Sequence, residues 1–139
     1  CLVMLDIDHF KQINDSQGHG IGDLVLRTFA RQLQRLVRKT DLVARYGGDE
    51  FAVLLEDARS VEDAELVARK LVTTIGSLVI PGLPQGITTS LGGGYTRRPV
   101  DAAALLAVAD AALYEAKQAG RNTYRLRLMD QAGPAAATA

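Results

Sequence analysis

The chain has 139 residues, about the length of one domain, and its 16 Lys and Arg balance its 16 Asp and Glu. A formal net charge of zero lacks the basic excess typical of nucleic-acid-binding domains, so we expect no nucleic-acid polymer as a partner. With 47% hydrophobic and 23% charged residues, the composition excludes a disordered or collagen-like chain. The one cysteine, Cys1, allows no internal disulfide, which favours a reducing, cytoplasmic location.

The two ends of the sequence suggest a piece of a longer protein. The chain opens with Cys1 inside an apolar run, which we interpret as the start of an excised fragment. No apolar run reaches the ~18 residues of a membrane span, so any anchor is expected elsewhere in the parent protein. We predict one domain over residues 1–128, lacking its N-terminal part, and a disordered tail over residues 129–139.

The first predicted strand spans residues 2–8 and carries acidic side chains at its end. The period of two directs Asp6 and Asp8 to one face and Ile7 to the other. Apolar residues at helical spacing then predict an amphipathic helix from Ile21 to Val37.

A hairpin is predicted next. Leu42–Tyr46 and Phe51–Leu55 are short apolar strands on either side of Gly47 and Gly48, and glycine pairs are typical of tight hairpin turns. Asp49 follows the turn directly.

The remaining elements complete an α+β pattern. They are a helix from a capping box at Ser60 and Asp63 to about Leu78, a strand Ile87–Leu91, a flexible exit Gly92–Gly94, a helix capped by Asp101 that ends near Ala119, and a strand Asn122–Leu128. The first six elements match the split βαβ, ferredoxin-like (palm-like) arrangement, an antiparallel sheet covered by helices on one face. An extra helix and strand follow at the C-terminal end.

Three carboxylates are expected to converge in this fold. Asp6 ends the first strand, and Asp49 and Glu50 begin the strand that neighbours it. Clustered carboxylate oxygens suit Mg²⁺ better than Zn²⁺ and repel one another without a cation. By spacing alone, Asp49 and Glu50 are equally well interpreted as solvated hairpin residues.

Three motifs in order resemble one known family. Residues 45–51 read Arg-Tyr-Gly-Gly-Asp-Glu-Phe. Residues 6–15 read Asp-Ile-Asp-His-Phe-Lys-Gln-Ile-Asn-Asp and are followed by Gly18-His19 and Gly22-Asp23. Residues 109–122 include Ala-Asp, Ala-Leu-Tyr, Ala-Lys and Gly-Arg-Asn. This set resembles the GGDEF family, the diguanylate cyclases that join two GTP molecules into cyclic di-GMP. The resemblance covers residues 1 to about 128.

The resemblance implies a metal site and catalytic residues. Asp6, the main-chain oxygen of Ile7 and Asp49 would hold Mg²⁺ or Mn²⁺ against the GTP phosphates. Glu50 would act as the base or as a second metal ligand, beside Asp49. All of these donors are oxygens, as a hard cation prefers.

The resemblance also implies a GTP site. Asn14, His19 and Asp23 match positions that contact guanine or nucleotide. Lys11, Lys117 and Arg121 match positions that meet the triphosphate. Gly47 and Gly48 lack side chains, so a phosphate can approach the main chain there. Without the motifs, the cations would be interpreted as solvated surface residues and the glycines as turn residues only.

An inhibitory site is implied by Arg38-Lys39-Thr40-Asp41, which resembles the family's RxxD motif. Arg38 and Asp41 would bind the product cyclic di-GMP, and Arg69 is a further expected contact. The alternative is a basic helix end that complements the helix dipole, followed by a loop cap.

The reaction joins two GTP molecules while one domain holds one, so the resemblance implies a homodimer. We expect an upstream sensory or dimerisation domain in the parent chain. The rival hypothesis is a catalytically silent regulatory domain that binds GTP or cyclic di-GMP. A remoter one is another palm-like nucleotidyl cyclase or polymerase.

Overall fold

The computed structural model describes residues 1–129, and the predicted tail lies almost wholly outside them. Its elements are β1 Leu2–Ile7, α1 Phe10–Gln17, α2 His19–Leu36, β2 Leu42–Gly47, β3 Glu50–Leu54, α3 Val61–Gly76, β4 Thr89–Tyr95, α4 Ala102–Gln118 and β5 Tyr124–Leu128. The five predicted strands and three long helices are confirmed, with shifts at their ends. Within residues 1–129, no helix has both the length and the apolar character that a membrane span requires.

One sheet holds all five named strands, in the order β2-β3-β1-β4-β5. The central strand β1 pairs antiparallel with both β3 and β4, as the α+β arrangement predicts. The last strand β5 runs parallel to β4, because the helix α4 crosses back over the sheet between them. This topology sets the ends of β1 and β3 side by side at the centre of the sheet.

Helices cover both faces of the sheet, and the two long helices of the first six elements lie on the same face, as predicted. Val3 and Leu5 of β1 belong to the large core that also contains Phe29 of α2. Met4 points to the opposite face and packs against Ala109 and Leu113 of α4. The extra helix α4 therefore covers the face that α2 and α3 leave open.

The prediction of a flexible exit at Gly92–Gly94 is wrong. These residues lie inside β4 and are paired with β1 on one side and β5 on the other. A Cβ atom on Gly92 would lie 1.9 Å from the backbone nitrogen of Leu113 and 2.6 Å from the carbonyl oxygen of Ala109. Glycine is thus required because the backbone of α4 lies directly on the strand.

Helix α1 is absent from the sequence prediction. It is eight residues long and buries only Ile13, so it lacks the apolar periodicity that indicates a helix. The residue before it, His9, has a left-handed backbone with φ 58°. The helix α2 starts at His19, two residues earlier than predicted, and Gly18 separates the two helices.

Candidate active site

The predicted convergence of carboxylates is present where the end of β1 lies beside the start of β3. Asp6 lies directly opposite Glu50 in the antiparallel register. The N–H of Ile7 donates to the carbonyl oxygen of Asp49 at 3.4 Å. The side chain of Ile7 is a hydrocarbon without ligand atoms and is buried in the core, so the main-chain oxygen is the only ligand atom that this residue offers.

Lys117 reaches these carboxylates from the last turn of α4. Its ammonium forms an ion pair with Oδ2 of Asp6. The other oxygen, Oδ1, is buried and has no hydrogen-bond partner among residues 1–129. A buried carboxylate oxygen without a partner is costly, so a further cation or donor would be stabilising here.

The carboxylates beside Asp6 hold their protons more tightly than usual. Burial raises the pKa of Asp49, and the nearby Asp6 charge raises it further. Burial also raises the pKa of Glu50, with additional repulsion from Asp6 and from Asp110 of α4. Lys117 lowers both pKa values only in part. Ionisation of both carboxyls is therefore disfavoured here without a compensating cation, and a divalent ion would stabilise their charged forms.

An open cavity of about 280 Å³ lies in front of these residues. Six residues predicted to contact metal or triphosphate line it: Asp6, Ile7, Lys11, Asp49, Lys117 and Arg121. The structure thus gathers onto one cavity residues from β1, α1, the hairpin turn and the end of α4. Paired acidic and basic side chains at such a cavity suit a nucleotide phosphate with its metal ion.

The donor set fits a magnesium ion shared with phosphate. In the described part of the chain, no group of three or more His, Cys, Asp and Glu side chains is arranged to hold a metal. The implied set has only two carboxylates, from Asp6 and Asp49, and a main-chain oxygen. Mg²⁺ is commonly held by one or two carboxylates, with substrate phosphates and water completing its shell.

The hairpin turn is held in place by a residue outside the predicted site set. Arg45 donates to the carbonyl oxygen of Gly48 from Nε at 2.9 Å and from Nη2 at 2.6 Å. Gly48 has φ +49°, while a Cβ atom on Gly47 or Gly48 would meet no atom within 4 Å. Gly48 is therefore needed for the backbone conformation, and open space remains beside both glycines. The motif includes Arg45, but no spacing rule predicts this brace.

The predicted guanine-contacting residues lie where α1 meets α2. The side chain of Asn14 passes over Gly22, and a Cβ atom there would lie 1.7 Å from its Oδ1 atom. His19 and Asp23 are exposed, one turn apart in the first part of α2. None of the three predicted residues lines the carboxylate cavity, so their role in nucleotide binding stays a prediction.

The predicted inhibitory site forms a separate cavity. Arg38 and Asp41 line a space of about 150 Å³ together with residues of α3. The Asp41 carboxylate accepts from the backbone N–H of Arg38 at 2.8 Å and from that of Glu56 at 3.2 Å. Arg69 does not line this cavity, and its guanidinium instead contacts Glu65 and the hydroxyl of Tyr124. The structure thus joins two of the three predicted residues.

The model of the family described as diguanylate cyclase, GGDEF domain matches residues 1–123. Diguanylate cyclase A of Treponema denticola is 39% identical over 128 residues, covering 90% of this chain and 34% of that protein. The crystal structure of the GGDEF domain of TpbB from Pseudomonas aeruginosa aligns with a TM-score of 0.82 at 38% identity, over 90% of this chain and 80% of that one. The GGDEF domain of DgcB from Caulobacter crescentus, solved in complex with c-di-GMP, aligns with a TM-score of 0.77 at 34% identity, over 94% of this chain and 77% of that one.

The chain spans about a third of the length of the curated relatives it matches. Its five-stranded sheet flanked by helices is the palm-like fold of the solved GGDEF domains. Because the family model matches nearly the whole described chain, the protein belongs to the GGDEF domain family of diguanylate cyclases.

Proposed function

We propose that this chain condenses two GTP molecules into cyclic di-GMP and releases two pyrophosphates. One observation carries the proposal: in a chain of the GGDEF family, Asp6 and Asp49 line one cavity with Lys117 and Arg121, and Glu50 lies opposite Asp6 in the strand register. In each half of the reaction, a ribose 3′-hydroxyl attacks the α-phosphorus of the other GTP. The new phosphodiester bond forms as the bond to pyrophosphate breaks.

Asp6, Asp49 and the main-chain oxygen of Ile7 are proposed to hold Mg²⁺ or Mn²⁺. When bound, the ion supplies positive charge to the triphosphate. The buried Oδ1 of Asp6, which has no partner, supports this assignment because a cation would satisfy it. The raised pKa of Asp49 supports it as well, because burial and the nearby Asp6 charge disfavour its ionised form unless a cation is bound.

Glu50 is proposed to accept the proton of the attacking 3′-hydroxyl or to bind a second metal ion. A base works best when its pKa lies near the working pH, and burial moves the pKa of Glu50 in that direction. Its position opposite Asp6 places it beside the proposed metal ligands. The proton leaves the hydroxyl as the oxygen bonds to phosphorus.

The cations and the turn glycines are proposed to orient the triphosphate. Lys11, Lys117 and Arg121 line the cavity, and the space beside Gly47 and Gly48 allows phosphate to approach the main chain. Orientation and charge neutralisation supply most of the rate in phosphoryl transfer.

Guanine is proposed to bind where α1 meets α2. Asn14, His19 and Asp23 would contact it there. A carboxylate accepts from the N1–H and the N2 amino group of guanine, a donor pair that adenine lacks. The close packing of Asn14 on Gly22 supports a fixed orientation for the Asn14 amide.

The active arrangement is proposed to be a homodimer, because each chain would bind one GTP and the product contains two. A dimerisation or sensory segment of the full-length protein would bring two sites together, at an effective concentration that depends on the linker. Rates of cyclic di-GMP formation should therefore be measured on the full-length protein.

Product inhibition is proposed at the cavity of Arg38 and Asp41, with Arg69 as an additional contact. The DgcB domain named above was solved with c-di-GMP, which supports binding of this product by the fold. Arg38 is exposed and suited to a bidentate contact with phosphate or guanine.

The test is incubation of the full-length protein with GTP and Mg²⁺, with products resolved by chromatography. We expect cyclic di-GMP from the wild type and a loss of at least about a hundredfold in Glu50→Gln. Glu62→Gln, in the exposed first turn of α3, is the matched control and is expected to keep full activity.

Two results would contradict the proposal. Equal product from the wild type and Glu50→Gln would exclude Glu50 from the chemistry. Binding of GTP or cyclic di-GMP without any product, at protein concentrations that give a dimer, would establish the silent regulatory domain instead.

A further inference from the structure

Asp8 is buried at the end of β1, and the proposed reaction does not use it. It is only 4% exposed and accepts three hydrogen bonds. Its Oδ1 accepts from the hydroxyl of Ser90 at 2.7 Å, and its Oδ2 accepts from the hydroxyl of Thr88 at 2.7 Å and the backbone N–H of Asn122 at 3.0 Å. All three partners donate in this arrangement and both carboxylate oxygens accept; the Asn122 N–H can only donate, whereas the two hydroxyls can also accept.

The third of these bonds closes an unusual turn. After α4, three successive residues have left-handed backbones: Gly120 at φ 109°, Arg121 at φ 65° and Asn122 at φ 49°. The N–H of Arg121 donates to the carbonyl oxygen of Ala116 at 3.1 Å, which ends the helix. The next N–H, that of Asn122, donates to Asp8. Two non-glycine residues in this conformation are strained and need support from their surroundings.

This turn carries one of the proposed triphosphate contacts. Arg121 lines the same cavity as Asp6 and Asp49. Within residues 1–129, no ion pair joins Asp8 to Arg121. Asp8 therefore contacts this turn through the backbone N–H of Asn122 and does not bind the guanidinium of Arg121.

We propose that Asp8 is a positioning residue, which holds the turn of residues 120–122 in its left-handed conformation and keeps Arg121 at the cavity. The proposal rests on the proposed function in one respect, the contact of Arg121 with triphosphate. Asp8→Asn removes the negative charge and leaves one acceptor oxygen. The Asn122 N–H loses its acceptor if the amide nitrogen takes the Oδ2 position, and keeps only a weaker neutral acceptor if the amide oxygen does. The anchor of the turn is weakened in either case, and Arg121 loses its fixed orientation.

A double-mutant cycle of Asp8→Asn and Arg121→Ala in the full-length protein tests this. The probes are the KM and kcat for GTP and the affinity for 3′-deoxy-GTP, which lacks the attacking hydroxyl. We expect Asp8→Asn to weaken analogue binding about tenfold. In the Arg121→Ala background it should weaken binding less than about twofold, because the arginine it positions is gone. Equal losses in both backgrounds would overturn the proposal.

Amide hydrogen exchange provides a second measurement that needs no activity. The Asn122 amide should be protected in the wild type, and its exchange should accelerate at least about tenfold in Asp8→Asn. Exchange of the wild-type Asn122 amide at the rate of an unstructured peptide would overturn the proposal even if Asp8→Asn fails to fold. Asp15→Asn on the exposed side of α1 is the matched control and should change neither readout.

The two proposals fail in different ways. If the wild type makes no cyclic di-GMP, the proposed function fails, while amide protection and analogue affinity still decide the role of Asp8. If product forms normally and the cycle is additive, the proposed function stands and the positioning role does not.

Discussion

Gly92→Ala is expected to be the most destabilising single-methyl change in the sheet. The new Cβ would lie 1.9 Å from the backbone nitrogen of Leu113, 2.4 Å from its Cα and 2.6 Å from the carbonyl oxygen of Ala109. No side-chain rotation relieves this overlap, because every obstacle belongs to the backbone of α4. The helix would have to retreat by roughly 1.5 Å to restore ordinary van der Waals contact.

The cost follows from two opposing terms. Overpacking of a dense core costs about 1–3 kcal/mol, and a backbone obstacle places Gly92→Ala at the upper end. Replacing glycine within a strand returns about 0.5–1 kcal/mol by restricting the unfolded chain. We therefore expect the free energy of unfolding to fall by about 2 kcal/mol, a large part of the stability of a small domain.

Two glycines provide matched controls. A Cβ atom on Gly93 would meet the end of a flexible side chain, Cδ2 of Leu126 at 2.5 Å, so Gly93→Ala should cost less. A Cβ atom on Gly20 in α2 meets no atom within 4 Å, so Gly20→Ala should cost nothing. Urea unfolding followed by circular dichroism gives the three values. A Gly92→Ala protein as stable as Gly20→Ala would refute this account of how α4 packs on β4.

Three further outcomes are expected. Gly22→Ala places a methyl group 1.7 Å from Oδ1 of Asn14, so the KM for GTP should rise. The KM of the Gly20→Ala control should not change. An unchanged KM in Gly22→Ala would exclude the Asn14 side chain from nucleotide binding. Because burial raises the pKa of Asp49 and Glu50, the metal-free protein should lose stability as pH rises from their ordinary pKa values through the raised ones, and Mg²⁺ should stabilise it more at pH 7 than at pH 5. Thermal melts with Mg²⁺ or EDTA check this, and a pH-independent effect of Mg²⁺ would contradict it. Arg38→Ala should abolish inhibition by added cyclic di-GMP and leave the initial rate unchanged. The check is a titration of the variant with cyclic di-GMP, and inhibition equal to that of the wild type would place the inhibitory site elsewhere.

The convergence of the carboxylates was predictable because it depends on regular periods and on topology. Alternation along β1 separates Asp6 from Ile7, and the glycine turn fixes where the next strand begins. In a split βαβ sheet β1 and β3 are neighbours, so the proximity of Asp6 and Glu50 can be predicted without knowledge of any other contact.

Two parts of the site depend on contacts that local sequence does not encode. Helix α1 has a single buried residue, Ile13, and is held beside α2, where Asn14 crosses Gly22. The turn at Asn122 owes its conformation to Asp8, which lies 114 positions earlier in the chain. Propensity alone disfavours a left-handed backbone at two non-glycine residues, so such a turn is identified only once its partner is placed.

The glycines of β4 connect this packing to the chemistry. Gly92 and Gly94 face α4 on alternate positions, and a Cβ atom on Gly94 would approach Leu105 at 3.1 Å. Their missing side chains let the axis of α4 lie close to the sheet. With α4 at that depth, Lys117 in its last turn forms an ion pair with Asp6 on the adjacent strand. Three consecutive glycines, which propensity would assign to a flexible segment, are thus required for the close packing of α4 that supports this ion pair. Any change that moves α4 away from the sheet should weaken the ion pair between Lys117 and Asp6 before it disturbs the hairpin that carries Asp49.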